Sequence, residues 1–221
     1  EIGSGLVGSE MCIRDSFLLY TNSVSGQENI FLLISAGKRG GMDMDLLEML
    51  KHRRSVRDYT GEAIPKEHLD QILAAGLLSP SGRIRKPWEL VVVQDRDTLK
   101  ELVKCREGAA NMLEKAGCAI LVFADPEKTD VWTEDCSIVM SNMHLMADSL
   151  GLGSCWIQSR LRTAQDKTTT EEFCRKLLHV PERYCLEAIL SVGIAQKRPA
   201  PHGLQEIETE KVHSEAWESR E

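Results

Sequence analysis

Four short apolar runs most narrow what this chain can become: WELVVVQD from Trp88, CAILVFAD from Cys118, SCWIQ from Ser154 and CLEAILSVG from Cys185. They are rich in Val and Ile and carry few charges, the pattern of strands covered on both faces. Between them the spacing becomes helical. Leu46, Leu47 and Leu50 share one side of MDLLEMLKHRR, and Leu69, Ile72, Leu73 and Leu77 follow Pro65, which suits a first helical turn. Residues 96–115 read as one or two helices, and TEEFCRKLL as another. The longest periodic segment, TEDCSIVMSNMHLMADSLG, predicts a central helix with Ile138, Met143, Met146 and Leu150 on one stripe. Thr133 is its candidate N-cap and Gly151 its stop. Strands alternating with helices give an α+β class, of α/β-type three-layer form, with a mixed sheet flanked by helices.

The first residues carry a different signal. Gly3, Gly5 and Gly8 spell G-x-G-x-x-G, yet only Glu1 and Ile2 precede them, which leaves no room for the strand a dinucleotide fingerprint needs. Residues 6–16, LVGSEMCIRDS, match what a transposase-type sequencing adapter encodes in one reading frame. Residues 17–41 read as upstream read-through, and Lys38 to Gly41 could be encoded over a ribosome-binding sequence ahead of Met44. Residues 1–43 are therefore expected to be non-native and disordered, and 44–221 to form one domain starting at Met44 or Met42.

A formal net charge of −7 argues against a nucleic-acid surface. The apolar stretch Phe31 to Ala36 is too short to span a bilayer, so no membrane partner is expected. Six of the seven cysteines, Cys105, Cys118, Cys136, Cys155, Cys174 and Cys185, lie in the expected domain, with no C-x-x-C pair and no histidine at metal-ligand spacing. They read as buried thiols of a reduced, cytoplasmic protein without a metal site.

Three segments can carry chemistry. Arg53, Arg54, Ser55 and Arg57 put three planar guanidinium forks and a hydroxyl beside a helix end, donors suited to phosphate oxygens. Pro80, Ser81 and Gly82 form a turn between a helix and a buried strand, beside Arg83, Arg85 and Lys86, where exposed amides can meet an anion or a heteroaromatic edge. LGLGSCWIQSR runs from a glycine-marked helix exit into a strand ending at Gln158 and Ser159. Each segment alone is equally compatible with a solvated face or an ordinary connection. His144, between Met143 and Leu145, reads as a packed imidazole rather than a base, and no Ser/His/Asp or Cys/His arrangement is legible.

In this order and spacing the three segments resemble the nitroreductase family of flavoproteins over nearly all of residues 44–221. The resemblance implies a homodimer with FMN in two pockets at the subunit interface. Arg53, Arg54, Ser55 and Arg57 match the family's R-x-S-x-R segment, which holds the FMN phosphate and reaches the flavin's polar edge. Pro80, Ser81 and Gly82 match its P-S-G turn against the flavin, often that of the partner's site. Gln158 and Ser159 match the strand end whose backbone faces flavin N5. The implied activity is ping-pong hydride transfer from NADH or NADPH through FMN to a small organic acceptor, nitroaromatic or quinone, with no catalytic side chain. The alternatives are a non-catalytic flavin-binding or storage module, or a related flavin dehydrogenase or dehalogenase. Three departures stand out: Ile84 and Lys86 replace the Asn and Gln of P-S-x-x-N-x-Q-P-W, and the C-terminal region offers Lys211 where relatives often supply a phosphate-binding Arg.

Overall fold

The computed structural model describes residues 19–24, 27–32, 46–213 and 215–217. The adapter-like stretch 6–16 and the candidate starts Met42 and Met44 lie outside the described residues. Two units divide at Asp43 and Met44. In the first, β1 (Leu19–Val24) and β2 (Gln27–Leu32) pair antiparallel, with Leu19 opposite Leu32.

The second unit runs through α1 (Leu46–His52), α2 (Lys66–Leu77), β3 (Trp88–Val93), α3 (Arg96–Leu102), β4 (Cys118–Ala124), α4 (Trp132–Ser149), β5 (Gly153–Gln158), α5 (Thr170–Leu178) and β6 (Cys185–Gly193). Its sheet has the order β3-β4-β6-β5, with every pairing between these strands antiparallel. Parallel pairing enters as one bridge, Ser55 to Ser154. The central strands β4 and β6 are buried on both faces, which is why their sequences are continuous apolar runs. One face packs Ile120, Val122 and Leu190 against Ile72 of α2 and Met140 and Met143 of α4. The other packs Leu121, Phe123 and Ile189 against Leu99 and Leu102 of α3 and Cys174 of α5. The three layers and the α+β class follow from these two cores.

Helix starts correct part of the sequence reading. The buried residues of α4 include Cys136, Val139, Met140, Met143 and Ala147, whereas Ile138 faces out. α4 begins at Trp132 after Val131, so Thr133 lies inside the first turn and is not the N-cap. Over 96–115, α3 is followed by two 3-10 turns, Val103–Cys105 and Asn111–Lys115. Asp95 caps α3 by accepting from Thr98 N–H at 2.8 Å, and α5 carries a full capping box between Thr169 and Glu172.

The segment after α1 is laced to the sheet. Val56 N–H donates to the Ser154 carbonyl at 2.9 Å, and Thr60 N–H to that of Ile194 at 3.0 Å. The fully buried Tyr59 hydroxyl donates to the Val56 carbonyl at 2.7 Å and pairs with the Ser191 hydroxyl at 2.8 Å. This close approach requires Gly153, because a Cβ there would stand 2.7 Å from Val56 Cγ1 and 2.9 Å from Val56 Cβ. Gly153→Ala is expected to cost about 1–3 kcal/mol, read as a lower urea midpoint with unchanged m-value. An unchanged midpoint would mean that residues 55–57 are not held against β5.

Candidate functional site

α1 ends in Lys51 and His52, and the chain then passes Arg53 to Arg57 across the start of β5. Arg53 is fixed by α4: its Nη1 donates to His144 Nε2 at 2.8 Å. A guanidinium can only donate, so Nε2 is the acceptor and His144 Nδ1–H donates to Ser154 Oγ at 2.5 Å. The imidazole is therefore neutral. Burial, and after it the Arg53 charge, lower its pKa from 6.5 to about 4, against an opposing pull from Asp148. The packed reading of His144 agrees with this geometry.

Around this imidazole the charges are sorted. Asp148, buried on α4, takes His52 Nδ1 at 2.7 Å and Arg198 Nη1 at 3.0 Å. Arg54 donates to the Ala200 carbonyl, and His202 N–H to that of Lys51 at 2.9 Å, so the chain after β6 covers the Arg-bearing segment. Among the described residues, no carboxylate pairs with Arg53, Arg54 or Arg57. Three guanidinium groups without a carboxylate, one of them aimed by a histidine, leave donors for an anion from outside. Lys211 is engaged by Glu208 at 2.5 Å.

The other two segments each lie near the opposite end of α4. Asp135 Oδ1, in the first turn, accepts from Gly82 N–H at 2.8 Å and so holds the turn of Pro80, Ser81 and Gly82; Ser81 Oγ accepts from Lys86 N–H at 3.0 Å. Gln158 closes β5, with its Oε1 accepting from Trp156 Nε1–H at 2.9 Å. Ser159 is buried, and its N–H donates to the Glu187 carbonyl at 3.3 Å. Arg160 lies over the Trp132 ring, 5.7 Å from its centroid. A cleft of about 370 Å³ opens beside Ser159, bounded by Trp132, Arg160, Leu161 and Arg162 among others. From Ser154 to Ser159 the strand spans about 17 Å at its usual rise, so Arg53 and Ser55 lie at one end of β5 and Gln158 and Ser159 at the other.

The turn at Gly82 is strained. Arg83, Ile84 and Lys86 adopt φ values of 52°, 57° and 44°, a region that disfavours β-branched residues most. Ile84 is 82% exposed and so gains little from packing. Ile84→Asn is expected to stabilise the fold by about 1 kcal/mol, raising Tm by roughly 2–4 °C. An unchanged Tm would mean that the turn relaxes around isoleucine at no cost.

Asp135 and Glu187 were not among the residues singled out by the sequence. The signal was present: Glu187 is the one charge within CLEAILSVG, and both carboxyls are buried with one oxygen unpartnered. Among the described residues, no group of His, Cys, Asp and Glu could hold a metal, and no helix is long and apolar enough to cross a membrane.

The model of the nitroreductase family matches residues 50–105 and 100–194. A Methanothermobacter thermautotrophicus protein, provisionally named NADH dehydrogenase/NAD(P)H nitroreductase, is 32% identical over 177 residues, covering 79% of this chain and 88% of its own. The solved FMN-dependent nitroreductase of Clostridium difficile R20291 superposes with a TM-score of 0.76 at 40% identity, over 78% of this chain and all of that one. A provisionally named nitroreductase from Desulfovibrio desulfuricans, solved in complex with FMN, gives 0.59 at 27% identity over 72% and 92%. By the family match, the relative and the fold, this chain belongs to the nitroreductase family.

Proposed function

We propose that the protein is an FMN-dependent oxidoreductase that passes hydride from NADH or NADPH to a small organic acceptor, nitroaromatic or quinone in type, and works as a homodimer. The carrying observation is the cluster of Arg53, Arg54 and Arg57, with no carboxylate partner among the described residues, set against the start of β5 by the Ser55 to Ser154 bridge. This donor set fits a phosphate monoester: Arg53 keeps most of its five N–H donors after bonding His144, and Ser55 adds a hydroxyl.

FMN held by these residues would supply the redox chemistry, a hydride relay between NAD(P)H and the acceptor with ping-pong kinetics. The protein's own residues bind and orient. Arg53, Arg54, Ser55 and Arg57 anchor the phosphate, with Arg53 presented by a neutral His144. Gln158 and Ser159 form the strand end toward the reactive edge, and Pro80, Ser81 and Gly82 form the turn that packs against a flavin. Ile84 contributes no side-chain hydrogen bond there, and Lys86 can only donate.

The homodimer is supported by uncovered apolar surface. Leu46, Leu47 and Leu50 of α1 are 61%, 50% and 47% exposed, and Leu204, Ile207, Val212 and Trp217 of the C-terminal segment are also exposed. A cytoplasmic setting belongs to the same reading and is supported by six free thiols among the described residues.

The test is a visible absorption spectrum of the purified full chain with FMN, before and after anaerobic NADPH and then NADH. A bound flavin band that bleaches is the expected result. A band that neither reductant bleaches would replace the enzyme with a flavin-binding module. Folded protein that takes up no FMN would overturn the reading altogether.

A further inference from the structure

β4 and β6 fall out of register at one point: Val122 faces Ala188, but Phe123 faces Leu186, so Glu187 is the extra residue of a β-bulge. Bulges re-aim a side chain and recur beside active sites. Glu187 is 4% exposed, and its Oε2 has no hydrogen-bond partner. A carboxyl buried this way is costly unless something offsets it. Its backbone carbonyl is fully used, accepting Ser159 N–H at 3.3 Å and Arg160 N–H at 2.9 Å. Main chain and side chain of one residue therefore bear on the strand end after Ile157.

We propose that Glu187 is a proton-sensitive latch on Gln158–Arg160, and thereby, on the reading given under Proposed function, a positioning residue for the flavin-facing strand end. The groups facing its carboxyl come from each element around it. The Gln158 side chain, from β5, lies beside it, its Nε2 donating to the Arg160 carbonyl at 3.3 Å, and the Arg160 guanidinium, just beyond β5, attracts it; Glu134, at the start of α4, repels it. Asp135 and Cys136 of α4 lie on the same side, since the Cys136 thiol senses both the Glu187 and Asp135 carboxylates. Burial outweighs the Arg160 and Gln158 contributions and raises the Glu187 pKa above the usual carboxylate value of 4.5. The protonated acid needs no countercharge. The carboxylate does, and it draws Arg160 from the Trp132 ring and tightens on the Gln158 amide, which also accepts from Trp156. Loss of the proton thus changes the seating of the strand end.

Two indoles report this directly in flavin-free protein, Trp132 under Arg160 and Trp156 on Gln158. The experiment compares tryptophan fluorescence of the full chain with that of Glu187→Gln from pH 4.5 to 8. The expected result is a wild-type step centred above 4.5 that is absent from the variant; superimposable titrations would overturn the latch. Hydrogen exchange over residues 157–162 of wild type, corrected for the intrinsic pH dependence, keeps the test decisive should the variant fail to fold. There a pH-dependent change of protection across the same interval is expected, and constant protection would overturn the proposal. Adding FMN separates the two readings. If FMN binds at no pH while the flavin-free step persists, the flavin assignment falls and the latch stands. If FMN binds but the step is missing, the latch falls alone.

Discussion

Arg53→Ala is expected to weaken FMN binding by about a hundredfold, measured by quenching of flavin fluorescence on titration with protein. A charge-assisted hydrogen bond contributes about 1.5–3 kcal/mol, and about 1.4 kcal/mol is a factor of ten. Arg53 is held by His144 at 2.8 Å, and on the proposed reading its loss would remove one strong contact to the phosphate or two. Arg53→Lys should recover only part of the loss, because an ammonium cannot fork between the imidazole and a phosphate oxygen in the same way. The wild-type affinity should also fall with added salt, since Arg57 is exposed and its charge is screened. A loss below about threefold in Arg53→Ala would move the phosphate away from the start of β5.

Acid should unfold this protein through His144. Its imidazole takes a proton near pH 6.5 in the unfolded chain but only near 4 in the folded one. Between these values the unfolded state binds more protons, so stability is intact above 6.5 and falls as pH drops through the window. The loss below pH 4 is about 3 kcal/mol. Glu187 titrates with the opposite sign: its raised pKa favours the folded state at low pH, and that benefit is lost as pH rises through the folded value. Urea denaturation of wild type and His144→Gln at pH 4.5, 5.5, 6.5 and 7.5 separates the two, since the variant lacks only the histidine. A smaller slope in the variant is expected. Identical slopes would show that His144 protonates equally in both states.

The central strands β4 and β6 were legible because burial on both faces leaves little room for polar residues, whereas β3 is only partly buried and β5 begins at Gly153, one residue before its apolar run. The three candidate segments were legible as chemistry, and the structure orders them along β5 and α4. The partners were hidden. His144 as the residue that aims Arg53 depends on a contact across 91 positions, and Asp135 on Gly82 across 53. No local pattern encodes such pairings. The phase of α4 was misjudged for a related reason: Ile138, Val139 and Met140 are all apolar, and only the opposing α2 and sheet decide which of them turns inward. Glu187 could have been noticed as a lone charge in a buried strand, but the bulge that accommodates it is a property of two strands together.

α4 joins the two halves of the site while keeping them apart. Asp135 steadies the Gly82 turn near its first turn and His144 aims Arg53 further along, about two and a half helical turns away. At that separation, substitutions that share no partner act almost independently. The helix therefore insulates affinity from selectivity. On the proposed reading, a lineage or a designer can remodel the surroundings of Trp132, Arg160 and Leu161 to suit a new acceptor while leaving the proposed phosphate anchor untouched. Changes to the buried middle of α4, at Val139, Met140 or Met143, would instead reach both ends at once, which makes that stretch the least evolvable part of the molecule.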